Sequence, residues 1–234
     1  MSEIYFENEY IIVKPSYRQT RKHKHNMLHL FVGKHRLKLT VDEGIITGSI
    51  IILEKDLLHM APEGEMEYFL FIDPTSRLAE EIRINYLKGA NFFAGDDKLL
   101  SGEGDLDAVD IKRRLLSYFG NDVFMKKQDL DERVVQMLGE IDSFMYAGKR
   151  ISDIAGIYGY SESYLTHLFK HETGVPLKNY MLMRQFEYAW IMINKGEKIT
   201  EAVLEAGFAS SSHFSDVCRR LTGISAMDVL KELE

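Results

Sequence analysis

ISDIAGIYGYSESYLTHLFKHETG (residues 151–174) and ITEAVLEAGFASSSHFSDVCRRLTG (residues 199–223) are two copies of one pattern, and reading them decides the fold. Ile151 answers Ile199, Asp153 answers Glu201, Gly159-Tyr160 answers Gly207-Phe208, and Thr173-Gly174 answers Thr222-Gly223. The offset passes from 48 to 49 just after the glycine, so the second copy carries one extra residue in its turn. Self-similarity at a fixed spacing marks a repeated structural unit. In each copy a small or apolar residue (Ala155, Val203) lets a second helix cross closely. The glycine then ends the first helix where a positive φ is wanted, an aromatic (Tyr160, Phe208) plugs the corner, and a serine (Ser161, Ser210) offers an N-cap hydroxyl. In the second helix of the first copy, Tyr164, Leu165, Leu168 and Phe169 make one apolar stripe, leaving Glu162, Ser163, Thr166, His167 and Lys170 outward. In the second copy Phe214, Val217, Cys218 and Leu221 turn inward, and Ser211, Ser212, His213, Ser215, Asp216 and Arg219 turn outward. Outward hydroxyls, imidazoles and cations can read base edges or grip phosphates. Two plain αα-hairpins are the alternative, and the aligned repetition argues against it.

Between the copies, VPLKNYMLMRQFEYAWIMIN (residues 175–194) has no internal breaker and a helical period through Leu177, Tyr180, Met181, Phe186, Ala189, Trp190 and Ile193. Pro176 falls near the first turn, where proline is tolerated. A helix of about 18 residues spans ~27 Å. That length suits two recognition helices held at about the ~34 Å between successive major-groove faces of B-DNA. The Met and aromatic stripe reads as core rather than as a cofactor pocket.

The motifs YSESYLTHLFKHETGVPLKNY and AGFASSSHFSDVCRRLTGIS, at this spacing, resemble the DNA-binding domain of the AraC-type family of bacterial transcription regulators, over about residues 131–230. The resemblance implies a seven-helix, two-lobed domain with helices near 161–172 and 211–221 entering the major groove. Carried over by position, it gives Ser163, Thr166 and His167 as base-facing candidates in the first lobe, beside which the helix start Ser161 and the outward Lys170 are further DNA-binding candidates. Ser211, Ser212, His213, Ser215, Asp216 and Arg219 are the candidates in the second. Three positions depart from the family pattern: Gln185 for an arginine, Cys218 for an aromatic and Ala226 for a proline. Neither recognition helix has an arginine at a typical base-reading position, which removes bidentate guanine readout from there.

Charge pulls the other way. From residue 129 to 234 there are 11 Lys+Arg and 16 Asp+Glu, a net of 11 − 16 = −5. Nucleic-acid binders usually show a basic footprint. Sign on one face is what matters, and Lys170, Lys178, Arg184, Arg219 and Arg220 are expected to form a local basic stripe. The basic triplet at 112–114 and the pair Lys126-Lys127 read as solvated faces.

The N-terminal half has β-rich segments, YIIVKP, MLHLFVG, HRLKLTV, GIITGSIIIL and MEYFLFI, separated by turn residues at intervals typical of a small barrel or sandwich. Two pieces, HKHNMLHLFVG and GSIIILEKDLLHMAP, resemble the short cupin-like sensor domain often joined to such DNA-binding domains. They raise His23, His25, His29 and His59 as metal candidates. His23, His25 and His29 are expected on one face of a strand. The resemblance places metal ligands at equivalent positions in metal-binding cupins, with a glutamate where His29 stands. Neutral imidazoles suit Zn, Fe, Ni or Cu. The competing expectation is that RKHKH is a solvated strand end and that the barrel offers an apolar pocket to a small effector.

Two helical stretches follow, SRLAEEIRINYLKG (residues 76–89) and DLDAVDIKRRLLSYFG (residues 105–120), with Ala108, Ile111, Leu115, Tyr118 and Phe119 on one face. They are expected either to pack on the barrel or, the favoured expectation, to pair two subunits. The fold class is therefore α+β: a small cupin-like β-barrel, then an all-α domain with two helix-turn-helix lobes joined by a long helix. The expected domains are 1–75 (sensor), 76–128 (helical linker and dimerisation segment) and 129–234 (DNA binding).

The chain has 234 residues, 45% of them hydrophobic, with one cysteine and a net charge of −7. One cysteine excludes an internal disulfide framework and suits a reducing compartment. No segment reaches the ~18 apolar residues of a membrane span, and MSEIYFENE lacks the build of a secretory signal, so a cytoplasmic protein is expected. No Ser/His/Asp constellation, phosphate loop or paired-carboxylate motif appears, so no catalytic residue is assigned. No cofactor is assigned either, a divalent metal at the histidines being the one opening. The reading is a transcription regulator, an activator, whose partners are double-stranded DNA, a second copy of itself, a small-molecule effector and RNA polymerase. Two alternatives stand beside it: a metal-binding cupin protein or enzyme with an accessory helical domain, and a regulator acting through protein contact with a degenerate DNA-binding domain.

Overall fold

A computed structural model describes residues 3–7, 9–14, 21–97, 100, 106–120, 130–222 and 225–227. The chain divides into two compact units, residues 1–127 with 220–234, and residues 128–219.

The first unit is built on one antiparallel six-stranded sheet of order β1-β2-β5-β3-β4-β6. The strands are β1 (Glu3–Phe6), β2 (Tyr10–Lys14), β3 (Leu28–Val41), β4 (Gly44–Leu53), β5 (Met66–Ile72) and β6 (Phe92–Gly95). MLHLFVG and HRLKLTV, separate in the sequence reading, are one long strand with an irregularity between Val32 and Leu37. Because successive side chains point to opposite faces, apolar runs such as Ile50-Ile51-Ile52-Leu53 supply two cores at once. Tyr10, Ile12, Leu28, Leu30, Val32, Ile50, Ile52, Tyr68, Leu70 and Ile72 belong to one core. Ile11, Val13, Phe31, Leu37, Leu39, Ile51, Leu53 and Phe69 belong to the other.

Helix α1 (Arg77–Ile82), continued by a π-helical turn at Arg83–Leu87, and helix α2 (Ala108–Phe119) complete the first core. Ser76 caps α1 by accepting from the Ala79 amide, and Asp107 caps α2 by accepting from the Asp110 amide. Leu78, Ala79, Ile82, Ile111 and Leu115 join the sheet residues of that core. The apolar faces of both helices are thus spent on the sheet of their own chain. Arg83 binds the Glu54 carboxylate with two nitrogens, at 2.8 and 2.9 Å, and donates to the Pro74 carbonyl at 2.9 Å. The guanidinium holds the Glu54 carboxyl below its usual range although burial pushes it up.

The second unit is helical: α3 (Glu132–Asp142), α4 (Ile151–Ile157), α5 (Glu162–Thr173), α6 (Leu177–Asn194), α7 (Ile199–Glu205) and most of α8 (Ser211–Thr222). Of the seven helices implied, six lie here. Residues 228–234, like Gly223 and the pair Lys126-Lys127, lie outside the described residues. Pro176 stands at the N-cap position of α6, beside its first turn. The α6 core differs from its sequence reading: Phe186 and Ile193 are only half-buried, Met183 is buried, and Arg184 and Glu187 are buried as an ion pair, Nη1 to Oε2 at 2.6 Å. Arg184 Nε also meets Asp142 Oδ1 at 2.9 Å, and its Nη2 donates to the Tyr180 hydroxyl at 3.1 Å. Arg184 is therefore withdrawn from the basic stripe expected at the surface.

Candidate functional site

The two copied motifs fold as helix-turn-helix pairs, α4–α5 and α7–α8. Gly159 and Gly207 both sit at positive φ, 70° and 87°, as the ends of the first helices require. Ser161 caps α5 by accepting from the Tyr164 amide at 3.2 Å, and Ser210 accepts from the His213 amide at 3.1 Å. Such caps satisfy donors that a helix start leaves open. Buried Ala155 and Val203 lie on the first helices at the close-crossing positions.

Each lobe packs on its own half of α6. Phe169 of α5 meets Tyr180 with ring centroids 5.4 Å apart. Phe214 of α8 lies 5.7 Å from Phe186 and 5.6 Å from Trp190. Asp131 ties α3 to α5, its amide donating to Glu172 at 3.1 Å. The corner plugs differ: Phe208 is buried, whereas Tyr160 is half-buried and packs at a tilt against Tyr164. Tyr164 corrects the expected apolar stripe. It is 44% exposed, and its hydroxyl accepts from Arg133 Nη1 at 2.9 Å. At helix position 164 the side chain lies one residue off the Leu165–Phe169 line, and the tyrosine hydroxyl prefers a cation at the surface to a core.

The outward candidates lie outward. Ser161, Ser163, His167 and Lys170 of the first lobe are exposed, as are Ser212, His213, Asp216 and Arg219 of the second; Thr166, Ser211 and Ser215 are half-exposed. Several of them are engaged, Ser161 as the cap of α5 among them. The Thr166 hydroxyl sits within hydrogen-bond distance of the Glu162 and Ser163 carbonyls of its own helix, so it offers a partner only its lone pairs. Arg219 pairs with Asp216 at 3.1 Å, a half-neutralised spot rather than a free cation. Cys218 is buried, as its place on the apolar side required.

A second constellation lies in the first unit. His23, His25, His29 and His59 are all buried, and one ligating atom from each lies within 4.8 Å of the others. The solvated-strand-end expectation is overturned: Lys22 and Lys24 point out while the histidines between and beside them point in. The one-strand expectation is also corrected, because the chain bends at 26–27 and only His29 stands on β3. Backbone pairing assembles the rest. His23 and His59 exchange amide and carbonyl at 2.9 and 3.0 Å, and the Asp56 amide donates to the His25 carbonyl at 2.8 Å. Phe31, Phe69 and Phe71 wall the group, with Phe31 stacked on His29 at 4.7 Å.

The electrostatics follow from this burial. Desolvation first, then the neighbouring rings, holds His25 and His29 well below the ordinary histidine range. Burial lowers His23 as well, and lowers His59 to about 4. All four imidazoles are neutral at neutral pH, the form that ligates metals. The resemblance already grouped the four histidines; missing from the sequence were their burial and the bend that turns them inward, and missing too were strands β1 and β6.

Comparison with known proteins agrees with the helix-turn-helix reading of the C-terminal half. A family model described as a helix-turn-helix domain matches residues 154–232. An uncharacterized HTH-type transcriptional regulator of Staphylococcus aureus is 26% identical over 93 residues, 39% of this chain. The match spans only 12% of that protein's length. Among solved structures, apo ToxT from Vibrio cholerae superposes with a TM-score of 0.55 at 16% identity, covering 100% of this chain and 97% of that one. Unsaturated-fatty-acid-bound ToxT from the same organism gives 0.53 at 17%, covering 99% and 95%. At such identities the likeness is one of fold. No described helix is long and apolar enough to cross a membrane. Residues 154–232 are a helix-turn-helix domain by this match, and the chain as a whole shares the fold of ToxT.

Proposed function

We propose that α5 and α8 enter successive major-groove segments on one face of the duplex. The observation that carries this is the mounting of both helices on one 18-residue helix, α5 through Phe169 on Tyr180 and α8 through Phe214 on Phe186 and Trp190. Ser163, His167, Ser212 and His213 are then the base readers, and Lys170 and Arg219 the phosphate contacts. Thr166, Ser211, Ser215 and Asp216 line the same faces, and Ser161 at its helix start accompanies a phosphate. The unit's acidic balance implies modest intrinsic affinity. Pairing of two chains, each adding phosphate contacts, strengthens binding in this reading, and activation follows from contact between the bound protein and RNA polymerase in the cytoplasm.

ToxT, of the same fold, has been solved with an unsaturated fatty acid. A small-molecule effector for the N-terminal domain here belongs to the same proposal. The expected role is regulatory rather than enzymatic, in keeping with a family not generally enzymatic.

Selection from random duplexes at two salt concentrations tests the reading. Enrichment of two sequence blocks about 10–10.5 base pairs apart is expected. His167→Ala should weaken one block selectively. Lys170→Ala should weaken all sequences about equally and reduce the salt slope by about one. Retention that yields no motif, or two substitutions without effect, would overturn the assignment of these helices.

A further inference from the structure

We propose that His23, His25, His29 and His59 bind one divalent transition-metal ion of the zinc class, as a four-nitrogen site in the N-terminal domain. This site is independent of the DNA-reading proposal.

The tautomers carry the argument. Nδ1 of His23 lies 2.9 Å from the Arg21 carbonyl, and Nδ1 of His59 lies 2.9 Å from the Leu57 carbonyl. A carbonyl only accepts, so both rings hold their proton on Nδ1 and turn a bare Nε2 lone pair inward. Carbonyl-anchored imidazoles are the usual arrangement of metal-ligating histidines, since the outer bond sets the ring's angle and tautomer. Nε2 of His59 is buried and has no hydrogen-bond partner among the described residues. A lone pair aimed into a buried group of three other imidazoles lacks a donor there, and a cation supplies one.

His25 and His29 complete the set. The Met27 amide donates to His25 Nδ1 at 3.2 Å, so the His25 proton sits on Nε2 and is shared with His29 Nε2. His29 then carries its own proton on Nδ1, which is buried without a partner among the described residues. Three rings therefore already have the ligating tautomer. The fourth acquires it when the His25 proton passes from Nε2 to Nδ1 and the long Met27 contact is released. No proton is lost overall, because all four ligands stay neutral.

Distances and donor type name the ion. Four nitrogens at 2.0–2.1 Å from one tetrahedral centre stand about 3.3 Å apart. The present separations, all within 4.8 Å, close to that by ring rotation. Among the described residues no carboxylate belongs to the group, which disfavours the oxygen-seeking magnesium and calcium and suits zinc, copper, nickel or iron. With four protein ligands, no position is left for substrate, so the site is a closed, structural or sensing one. Its ligands come from three separate places: the segment before the bend, β3, and the loop after β4. A bound ion would fasten all three together.

The test uses the full chain without an affinity tag, stripped with a chelator, then equilibrated with zinc or cobalt(II) and desalted. The expected result is one zinc retained per chain, and a cobalt(II) form with the strong visible absorption of four-coordinate geometry. His59→Gln should reduce retained zinc at least tenfold. Replacing the four exposed histidines, His35, His167, His171 and His213, should leave it at one. If His59→Gln fails to fold, His23→Gln at the rim of the cluster takes its place, and the wild-type cobalt spectrum stands alone. Less than stoichiometric zinc on the wild type, a weak six-coordinate cobalt spectrum, or unchanged retention in the folded variants would each overturn the site.

Discussion

Arg184→Ala is expected to be among the most damaging single substitutions in the helical unit, lowering its stability by about 3–5 kcal/mol. Arg184 and Glu187 each expose only 7% of their side chains. Removing the guanidinium leaves a buried carboxylate without its counter-ion, a loss in the range measured for broken buried pairs. It also takes partners from Asp142 and from the Tyr180 hydroxyl, which link α6 to α3. The one tryptophan, Trp190, is 4% exposed on α6 and reports this unit alone. Urea titration followed by its fluorescence should show the midpoint move far toward zero denaturant. Replacing both members, Arg184→Met with Glu187→Leu, should recover most of the loss, because a buried apolar pair of similar volume needs no neutralising. A single substitution costing under ~1 kcal/mol would mean the pair is hydrated and not a core element.

Gly207→Ala should be the second large effect, and its counterpart Gly159→Ala a small one. Both glycines hold positive φ, so each alanine bears the left-handed penalty of roughly 1–2 kcal/mol. Only Gly207 is also pressed against another backbone. A Cβ there would come 2.2 Å from the Gly148 amide nitrogen and 2.4 Å from its Cα, whereas nothing lies within 4 Å of a Cβ at Gly159. Adding an overpacking cost of ~1–3 kcal/mol takes the Gly207 change to about 2–5 kcal/mol. The same fluorescence titration compares the two. Equal midpoints would show that the loop before α4 moves aside freely, and that the two turns are equivalent after all.

That asymmetry shows how far the sequence carries. Gly159 and Gly207 align in the repeat and do the same local work, ending a helix ahead of a capping serine. The backbone approach of residue 148 to residue 207 joins places 59 positions apart, and no local pattern encodes it. Arg184 teaches a similar lesson. Its type suggested a phosphate contact, but its place on α6 and the presence of Glu187 one turn on direct it inward. The helical period leaves both residues near the edge of the apolar stripe, where pattern alone does not decide burial. Tyr164 erred in the opposite direction: an aromatic one residue off the stripe was counted with it, and Arg133, 31 residues earlier, draws its hydroxyl to the surface.

By itself the sequence determined the two helix-turn-helix lobes, the helix between them, the strand segments of β2 to β5 and the outward faces of α5 and α8. These follow from periods of 3.6 and 2 residues, glycine's tolerance of positive φ and hydroxyl capping, all set within a few residues of chain. The tertiary structure decided the rest: that α1 and α2 bury their faces on the sheet, that β1 and β6 join its edges, and that Lys and His of RKHKH part to opposite sides. It also brought His59, 30 residues beyond His29, back onto the same group. Burial and convergence depend on which distant segments pair, and short strands such as β1 and β6 gain their stability from a neighbour rather than from their own residues.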